Sequence, residues 1–137
     1  MKVKKFHIGI KAVIEDSKKI LLVNEVSRFS GYDFRGGKID EGESWQDGLK
    51  RELYEEIGLK NFKTEEILGI FERPDYQDYD EGKASLMIIY YKVSAKVSKI
   101  KLSSEHSGFK WVTKKDLKTI KLRNDGVKEM LEKVLKK

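Results

Sequence analysis

The segment from residue 44 to residue 57 constrains the fold more than any other, because its pattern is that of a helix with one apolar side. Four large apolar residues recur at intervals of four and therefore share one helical face: Trp45, Leu49, Leu53 and Ile57. Ser44 is a candidate N-cap, with Asp47 three residues later as a weaker substitute for the usual glutamate. Gly58 is well placed to end the helix. The segment predicts a helix that packs its apolar face on the rest of the molecule.

A β-hairpin is predicted before this helix. Apolar residues alternate with other residues from position 6 to position 15, and a second apolar run extends from position 20 to position 26. The residues between these runs, Asp-Ser-Lys-Lys at positions 16–19, have the composition of a turn. The glycine-containing stretch 27–43 then predicts a loop that leads into the helix.

The remainder of the chain predicts further strands and a terminal helix. Two β-rich stretches, 62–73 and 84–97, are followed by a short strand at 108–112. The end of the chain has a helical pattern, with Thr113 and Asn124 as candidate N-caps. This order of elements predicts an α/β fold in which a mixed sheet lies between helices. A length of 137 residues is consistent with one domain.

Three glutamates give the predicted helix a second, acidic face. Glu52, Glu55 and Glu56 lie within an arc of about 100°, because spacings of three and four bring side chains together on a helix. Their mutual repulsion would destabilise the helix unless a cation or a basic side chain lies among them. Gly48, one turn before Glu52, removes bulk where an ion or a substrate would approach.

The residue types available point to a hard divalent cation. The chain has no cysteine, which excludes disulfides, thiolate metal sites and cysteine nucleophiles. Oxygen ligands favour magnesium, with manganese as a substitute. The alternative is an acidic helix face that is only solvated.

The residues around these acids follow a longer pattern. Gly37 is followed after five residues by Glu43, and seven further residues separate Glu43 from the run RELYEEIGL at positions 51–59. This pattern, residues 37–59, resembles the Nudix box at every defining position. The order of strands and helices elsewhere also resembles the Nudix fold, a mixed sheet between helices. The resemblance implies a single Nudix hydrolase domain over residues 1–137.

The resemblance also implies a metal site. In the family, the acids that match Glu52, Glu55 and Glu56 bind one or more magnesium ions. The backbone carbonyl that matches Gly37 often joins them. We therefore expect Mg²⁺ as the cofactor of this chain.

Two further residues of the box have supporting roles in the family. The residue that matches Arg51 pairs with the box carboxylates and fixes their orientation, and Glu43 supports the site from the start of the helix. Water activated by metal and a carboxylate attacks a phosphorus atom of a nucleoside diphosphate linked to another group. The base is either a box glutamate or Glu105, because the segment 104–112 resembles one in which an acid precedes a strand ending in Trp-Val.

One departure from the family pattern concerns the entry to the box. Many members have Trp-x-x-Pro-Gly-Gly there, whereas this chain has YDFRGG at positions 32–37. Arginine in place of proline loses a rigid turn but brings a cation near the expected phosphate site. Arg35 is therefore a candidate substrate contact, with an exposed arginine as the alternative.

The substrate class is less constrained than the reaction. Pro74 stands where ADP-ribose pyrophosphatases tend to carry proline, and Tyr76 stands where dinucleoside polyphosphate hydrolases often have tyrosine. A triphosphate-cleaving role like that of MutT also stays open. Tyr76 is retained as a candidate substrate-binding residue, although an exposed ring in a plain turn is the alternative.

Charge and composition bear on partners and location. The net charge of +6 favours anionic partners, although lysines scattered over the chain also fit a solvated surface. We find no secretion signal and no apolar stretch that would span a membrane, so we expect a cytoplasmic protein without a membrane partner. The expected partner is a nucleotide-type small molecule. Family members are often dimers, and the sequence neither favours nor opposes a homodimer.

A second class of function is a Nudix domain that senses a nucleotide or binds RNA without catalysis. Sensors of this kind often lose box acids and carry an added DNA-binding helix pair, whereas this chain keeps every acid. An aromatic RNA-recognition motif is also absent, so no dedicated nucleic-acid partner is expected. The sequence therefore predicts an enzyme.

Overall fold

The computed structural model describes residues 3–25, 31–73, 77–78, 82–97, 99–102 and 106–135. The elements within these ranges are β1 (Phe6–Asp16), β2 (Lys19–Glu25), β3 (Gly31–Asp33), β4 (Arg35–Lys38), α1 (Trp45–Ile57), β5 (Lys63–Arg73), β6 (Gln77–Asp78), β7 (Gly82–Lys83), β8 (Ser85–Ser94), β9 (His106–Val112), a 3₁₀ turn (Lys114–Lys118) and α2 (Asp125–Leu135).

Seven of these strands form one mixed sheet. Its main path is β3-β2-β1-β8-β5, while β4 also pairs with β1 and β9 also pairs with β2. β1 and β8 run parallel over ten residue pairs, from Phe6 opposite Ser85 to Glu15 opposite Ser94. The other pairs in this sheet are antiparallel. β6 and β7 form a separate two-stranded ribbon. β1 is therefore the central strand, with neighbours on both of its edges.

Both faces of β1 are buried. On one face, Ile10, Ala12 and Ile14 belong to a core cluster that contains the apolar residues of α1. On the opposite face, Val13 belongs to a cluster that contains the apolar residues of α2. Alternate residues of a strand point to opposite sides, so each helix covers one face of the sheet. The predicted α/β sandwich is confirmed.

The predicted hairpin is also confirmed, with Glu15 opposite Ile20. Ser17 and Lys18 form its turn with φ angles of 52° and 65°. Two successive residues in the left-handed region are typical of the turns that match the right-handed twist of paired strands.

The loop expected at residues 27–43 was wrong for part of its length, because β3 and β4 lie within it. β4 pairs with β1, with Ile10 opposite Gly37 and Lys11 opposite Gly36. A Cβ atom at Gly36 would lie 1.9 Å from the carbonyl oxygen of Ile10, and its φ is 145°. Only glycine allows this approach. A strand that contains two glycines lacks the usual apolar pattern, which explains the wrong prediction.

The helix boundaries follow from the residues predicted to cap them. The Ser44 hydroxyl accepts a hydrogen bond from the backbone N–H of Asp47 at 3.1 Å, and Gly58 ends α1 with a φ of 74°. Asn124 Oδ1 accepts from the backbone N–H of Val127 at 3.1 Å and so caps α2. None of the helices in the described ranges is long and apolar enough to cross a bilayer.

Candidate active site

Arg51 on α1 is the centre of a network of ion pairs. Its Nε and Nη2 atoms donate to the two carboxylate oxygens of Glu43 at 2.8 and 2.9 Å, a bidentate geometry that fixes the guanidinium. The bonds from Arg51, together with one from the backbone N–H of Asp40, lower the pKa of Glu43 to about 2. The bond to Glu43 in turn raises the pKa of Arg51. Glu43 is therefore a stable anion that holds Arg51 in place.

The remaining guanidinium nitrogen of Arg51 faces two other acids. Nη1 donates to Glu52 Oε1 at 3.0 Å and to Glu55 Oε2 at 3.4 Å. The side chain of Glu55 is 58% exposed, whereas that of Glu52 is 17% exposed. The carboxylates of Glu43, Glu52 and Glu55 thus all contact the guanidinium of Arg51.

Glu52 also meets Glu56, one turn further along α1. Burial, together with a hydrogen bond between these two carboxyl groups, raises the pKa of Glu56 to about 8. A hydrogen bond between two carboxyl groups requires a shared proton. A divalent cation can replace such a proton, because it also relieves the repulsion between two carboxylates. The donor set of this pair therefore fits a hard metal ion.

Arg35 supports Glu56 from the sheet. Its Nη1 donates to Glu56 Oε2 at 3.0 Å, and its side chain is 2% exposed. The alternative of an exposed arginine is therefore wrong. The structure gives Arg35 a contact with Glu56, and a contact with substrate stays a prediction.

The three acids of the box are not equivalent. Glu52 and Glu56 are joined directly, whereas Glu55 is joined to Glu52 through Arg51. In the part of the chain that the structure describes, no three acidic or histidine side chains are grouped to hold a metal ion. The sequence pattern placed all three on one arc of the helix, and the structure brings two of them into contact.

Two glycines leave room beside these acids. A Cβ atom at Gly37 would lie 2.6 Å from the carboxyl carbon and from Oε1 of Glu52. A Cβ atom at Gly48 would lie 2.7 Å from Ile39 Cδ1 and 2.9 Å from Glu43 Oε1. The backbone of β4 can therefore approach the Glu52 carboxylate closely only because residue 37 is glycine.

Two of the predicted site residues lie outside the part of the chain that the structure describes. Glu105, the candidate base, and Tyr76, the candidate substrate contact, lie outside the described residues. Pro74, which bears on the choice of substrate, lies outside them as well.

A second ion-pair cluster was not predicted from the sequence. Lys11 Nζ lies 3.3 Å from Asp33 Oδ2, and Arg123 Nη1 lies 3.8 Å from the same oxygen. The Asp33 side chain is 4% exposed. The available signal was a lysine between the apolar residues of a predicted strand, and an aspartate between two aromatic residues, Tyr32 and Phe34. Charged residues in buried strands are rare unless they are paired.

The fold and the acid cluster together define the class of this protein. A family model, the NUDIX domain, matches residues 5–134. The chain belongs to the Nudix family, as the sequence pattern of residues 37–59 predicted.

Two curated proteins are similar to parts of this chain. A Bacillus subtilis (strain 168) protein, named provisionally as an 8-oxo-dGTP diphosphatase, is 36% identical over 66 residues, which is 48% of this chain and 43% of that protein. The RNA pyrophosphohydrolase of Sulfurovum sp. (strain NBC37-1) is 36% identical over 92 residues, or 64% of this chain and 55% of that protein. The chain spans about half the length of these curated relatives.

A solved structure shares the fold over nearly the whole chain. The MutT protein from Methanosarcina mazei Go1 matches with a TM-score of 0.77 and 24% identity, covering 98% of this chain and 96% of that one. The fold is therefore MutT-like.

Proposed function

We propose that this protein is a magnesium-dependent hydrolase that cleaves a diphosphate bond in a nucleotide-type substrate. The observation that carries the proposal is the acid cluster of α1 beside the backbone of Gly37, in which arginines hold the carboxylates: Arg51 contacts Glu43, Glu52 and Glu55, and Arg35 contacts Glu56. Glu52 and Glu56 lie one turn apart on the same helix, share a proton in the absence of a metal and present carboxylate oxygens to a hard cation.

The residues that would hold the metal are Glu52 and Glu56, with Glu55 and the carbonyl of Gly37 completing the protein ligands. A bound Mg²⁺ would supply charge neutralisation on the diphosphate and a lowered pKa for a bound water. Magnesium retains several waters and prefers phosphate oxygens, so it does not require that all ligands come from the protein.

The protein's own side chains position this set. Arg51 is fixed by Glu43 and contacts Glu52 and Glu55, while Arg35 holds Glu56 from the opposite side. Arg51 and Arg35 are therefore positioning residues in this proposal. They keep the carboxylates at their places when the charge nearby changes.

The proposed reaction is hydrolysis. The oxygen of a water molecule forms a bond to phosphorus, the bond from that phosphorus to the bridging oxygen breaks, and the bridging oxygen leaves with the other phosphate. The proton of the attacking water passes to a carboxylate, either one of the box glutamates or Glu105. The name of the Bacillus subtilis relative specifies a nucleoside triphosphate, so triphosphates are our first choice of substrate.

The test is a panel of nucleoside triphosphates, ADP-ribose, sugar nucleotides and dinucleoside polyphosphates, with and without MgCl₂. Phosphate release is measured after a coupled phosphatase step. We expect turnover of one class only with Mg²⁺, and a loss of about a hundredfold or more in Glu52→Gln. The matched control is Glu66→Gln, an exposed acid on β5, which should retain full activity.

Absence of turnover in folded protein with Mg²⁺ and every compound in the panel would contradict the hydrolase assignment. Nucleotide binding without turnover would then favour the alternative, a nucleotide-sensing Nudix domain.

A further inference from the structure

Arg35 places a fixed positive charge in the wall of the acid cluster. It is the first residue of β4, it lies opposite Ala12, and its side chain is 2% exposed. Nη1 donates to Glu56 Oε2 at 3.0 Å, and the side chain of Glu56 is 15% exposed. A guanidinium keeps its proton at every pH at which proteins are folded, and a pair buried this deeply is little screened by salt. The positive charge beside Glu56 is therefore permanent.

Arg51, a second arginine of the cluster, is in a different environment. Its side chain is 30% exposed, and its contact with Glu55 is 3.4 Å long and reaches an acid that is 58% exposed. Water can replace this contact when a metal ion approaches, because exposed ion pairs contribute little free energy. Arg51 therefore leaves the exposed side of the cluster open to an ion.

Arg35 cannot leave Glu56 at such a low cost. Separation of the pair would leave two charges without partners in a region largely closed to water, which is strongly destabilising. A divalent cation bound to the same oxygen of Glu56 would face the guanidinium at short range, where like charges repel strongly. Glu56 also meets Glu52, and that contact remains for a metal ion.

We propose that Arg35 takes the place of a second metal ion at Glu56 and so limits the substrate-free protein to one divalent cation. The inference rests on the proposed function, because the single ion is the one held there by Glu52 and Glu56. Arg35 acts through Glu56 and is a positioning residue. Its charge neutralises Glu56 from the side of the sheet, so this acid does not need an ion of its own.

The test counts the Mn²⁺ ions bound to the full chain in the absence of nucleotide. The electron paramagnetic resonance signal of free Mn²⁺ is lost on binding, so its amplitude gives the number of ions bound per chain. Wild type is compared with Arg35→Met, with Arg35→Lys and with a double variant that combines Arg35→Met and Glu56→Gln. The control Lys63→Met removes a positive charge from an exposed position at the start of β5. Circular dichroism on the same samples reports folding.

We expect one Mn²⁺ per chain in wild type and two in Arg35→Met, because the buried Glu56 carboxylate then lacks its guanidinium and takes a second ion. Arg35→Lys keeps the positive charge and should bind one. The double variant removes both members of the buried pair, which costs less than the removal of one, and should bind at most one. Lys63→Met should behave as wild type.

Two or more ions in wild type, or an unchanged count of one in Arg35→Met, would overturn the inference and leave the proposed function standing. A double variant that binds two ions would also overturn it, since the second ion would then not depend on Glu56. Absence of Mn²⁺ binding in wild type and in every variant would contradict the proposed function itself.

The folding of Arg35→Met gives a second, independent readout. If this variant is unfolded without metal, Mn²⁺ should restore its fold, because the ion then neutralises the buried Glu56 carboxylate in place of the guanidinium. Failure of saturating Mn²⁺ to restore the fold would show that an ion does not replace Arg35, and the inference would be wrong.

Discussion

Glu56 is the residue whose charge depends most directly on its neighbours in the acid cluster. Burial and the carboxyl group of Glu52 favour its protonated form, while Arg35 and Lys11 oppose this effect. The balance raises its pKa from 4.5 to about 8. In the metal-free protein, the folded state therefore holds a proton that the unfolded state releases at much lower pH.

This proton predicts how the stability of the metal-free protein depends on pH. The contribution of Glu56 is fully present below pH 4.5 and is lost as pH rises towards about 8, since only the folded state binds the proton in that interval. We expect the unfolding temperature of wild type, measured with a chelator, to fall by several degrees over this range. Glu56→Gln removes the titrating group and should show a flatter curve, whereas Glu66→Gln should follow wild type. Parallel curves for wild type and Glu56→Gln would contradict the assignment.

Gly48 lowers the helix propensity of α1 but leaves space for Ile39 and Glu43 beside the helix. Replacement of glycine by alanine within a helix usually stabilises it by about 1 kcal/mol. At this position the new Cβ would lie within 3 Å of both Ile39 Cδ1 and Glu43 Oε1. The Glu43 carboxylate would have to move, and with it the bidentate contact to Arg51.

We therefore expect Gly48→Ala to reduce the hydrolysis rate about tenfold or more without the usual gain in unfolding temperature. The control is Gln46→Ala, an exposed position in the first turn of α1, which should leave the rate unchanged. Rate assays and thermal unfolding on the same samples separate the loss of activity from the change in stability. A Gly48→Ala protein that is both more stable and fully active would show that Glu43 does not depend on this space.

Elements with local signals were predictable, and those that depend on distant partners were not. The bounds of α1 followed from Ser44 and Gly58, because a cap acts on its own helix. The strand β4 was missed because its residues pair with β1, more than twenty positions away, and have little strand propensity of their own.

In the candidate site, too, the features with a local sequence signal were predictable and the contacts between distant segments were not. The acids could be named from their spacing on a helix, and their placement on α1 follows the pattern. The burial of Arg35 against Glu56, and the cluster of Lys11 with Asp33, depend on how sheet and helix meet. The spacing of residues along the chain does not predict such contacts between distant segments.

At the scale of the whole molecule, the proposed metal site should couple to folding. A ligand that binds only the folded state stabilises it in proportion to the logarithm of its concentration above the dissociation constant. We expect MgCl₂ to raise the unfolding temperature of wild type at a pH well above 8, where most of the shared proton has been lost and no longer competes with the metal. The increase should be absent in a Glu52→Gln, Glu56→Gln double variant. An equal increase with NaCl at matched ionic strength would show that the effect is general screening and not metal binding.

β4 separates two faces of the sheet, and this limits the sequence changes that the strand can accept. Arg35 faces the acids, while Gly36 and Lys38 alternate with it and share the opposite face with their partners on β1. A point substitution at Lys38 therefore alters one face and leaves the acids on the other face in place. An insertion or deletion of one residue would exchange the two sides at once. β4 should therefore accept single substitutions more readily than a change in its length.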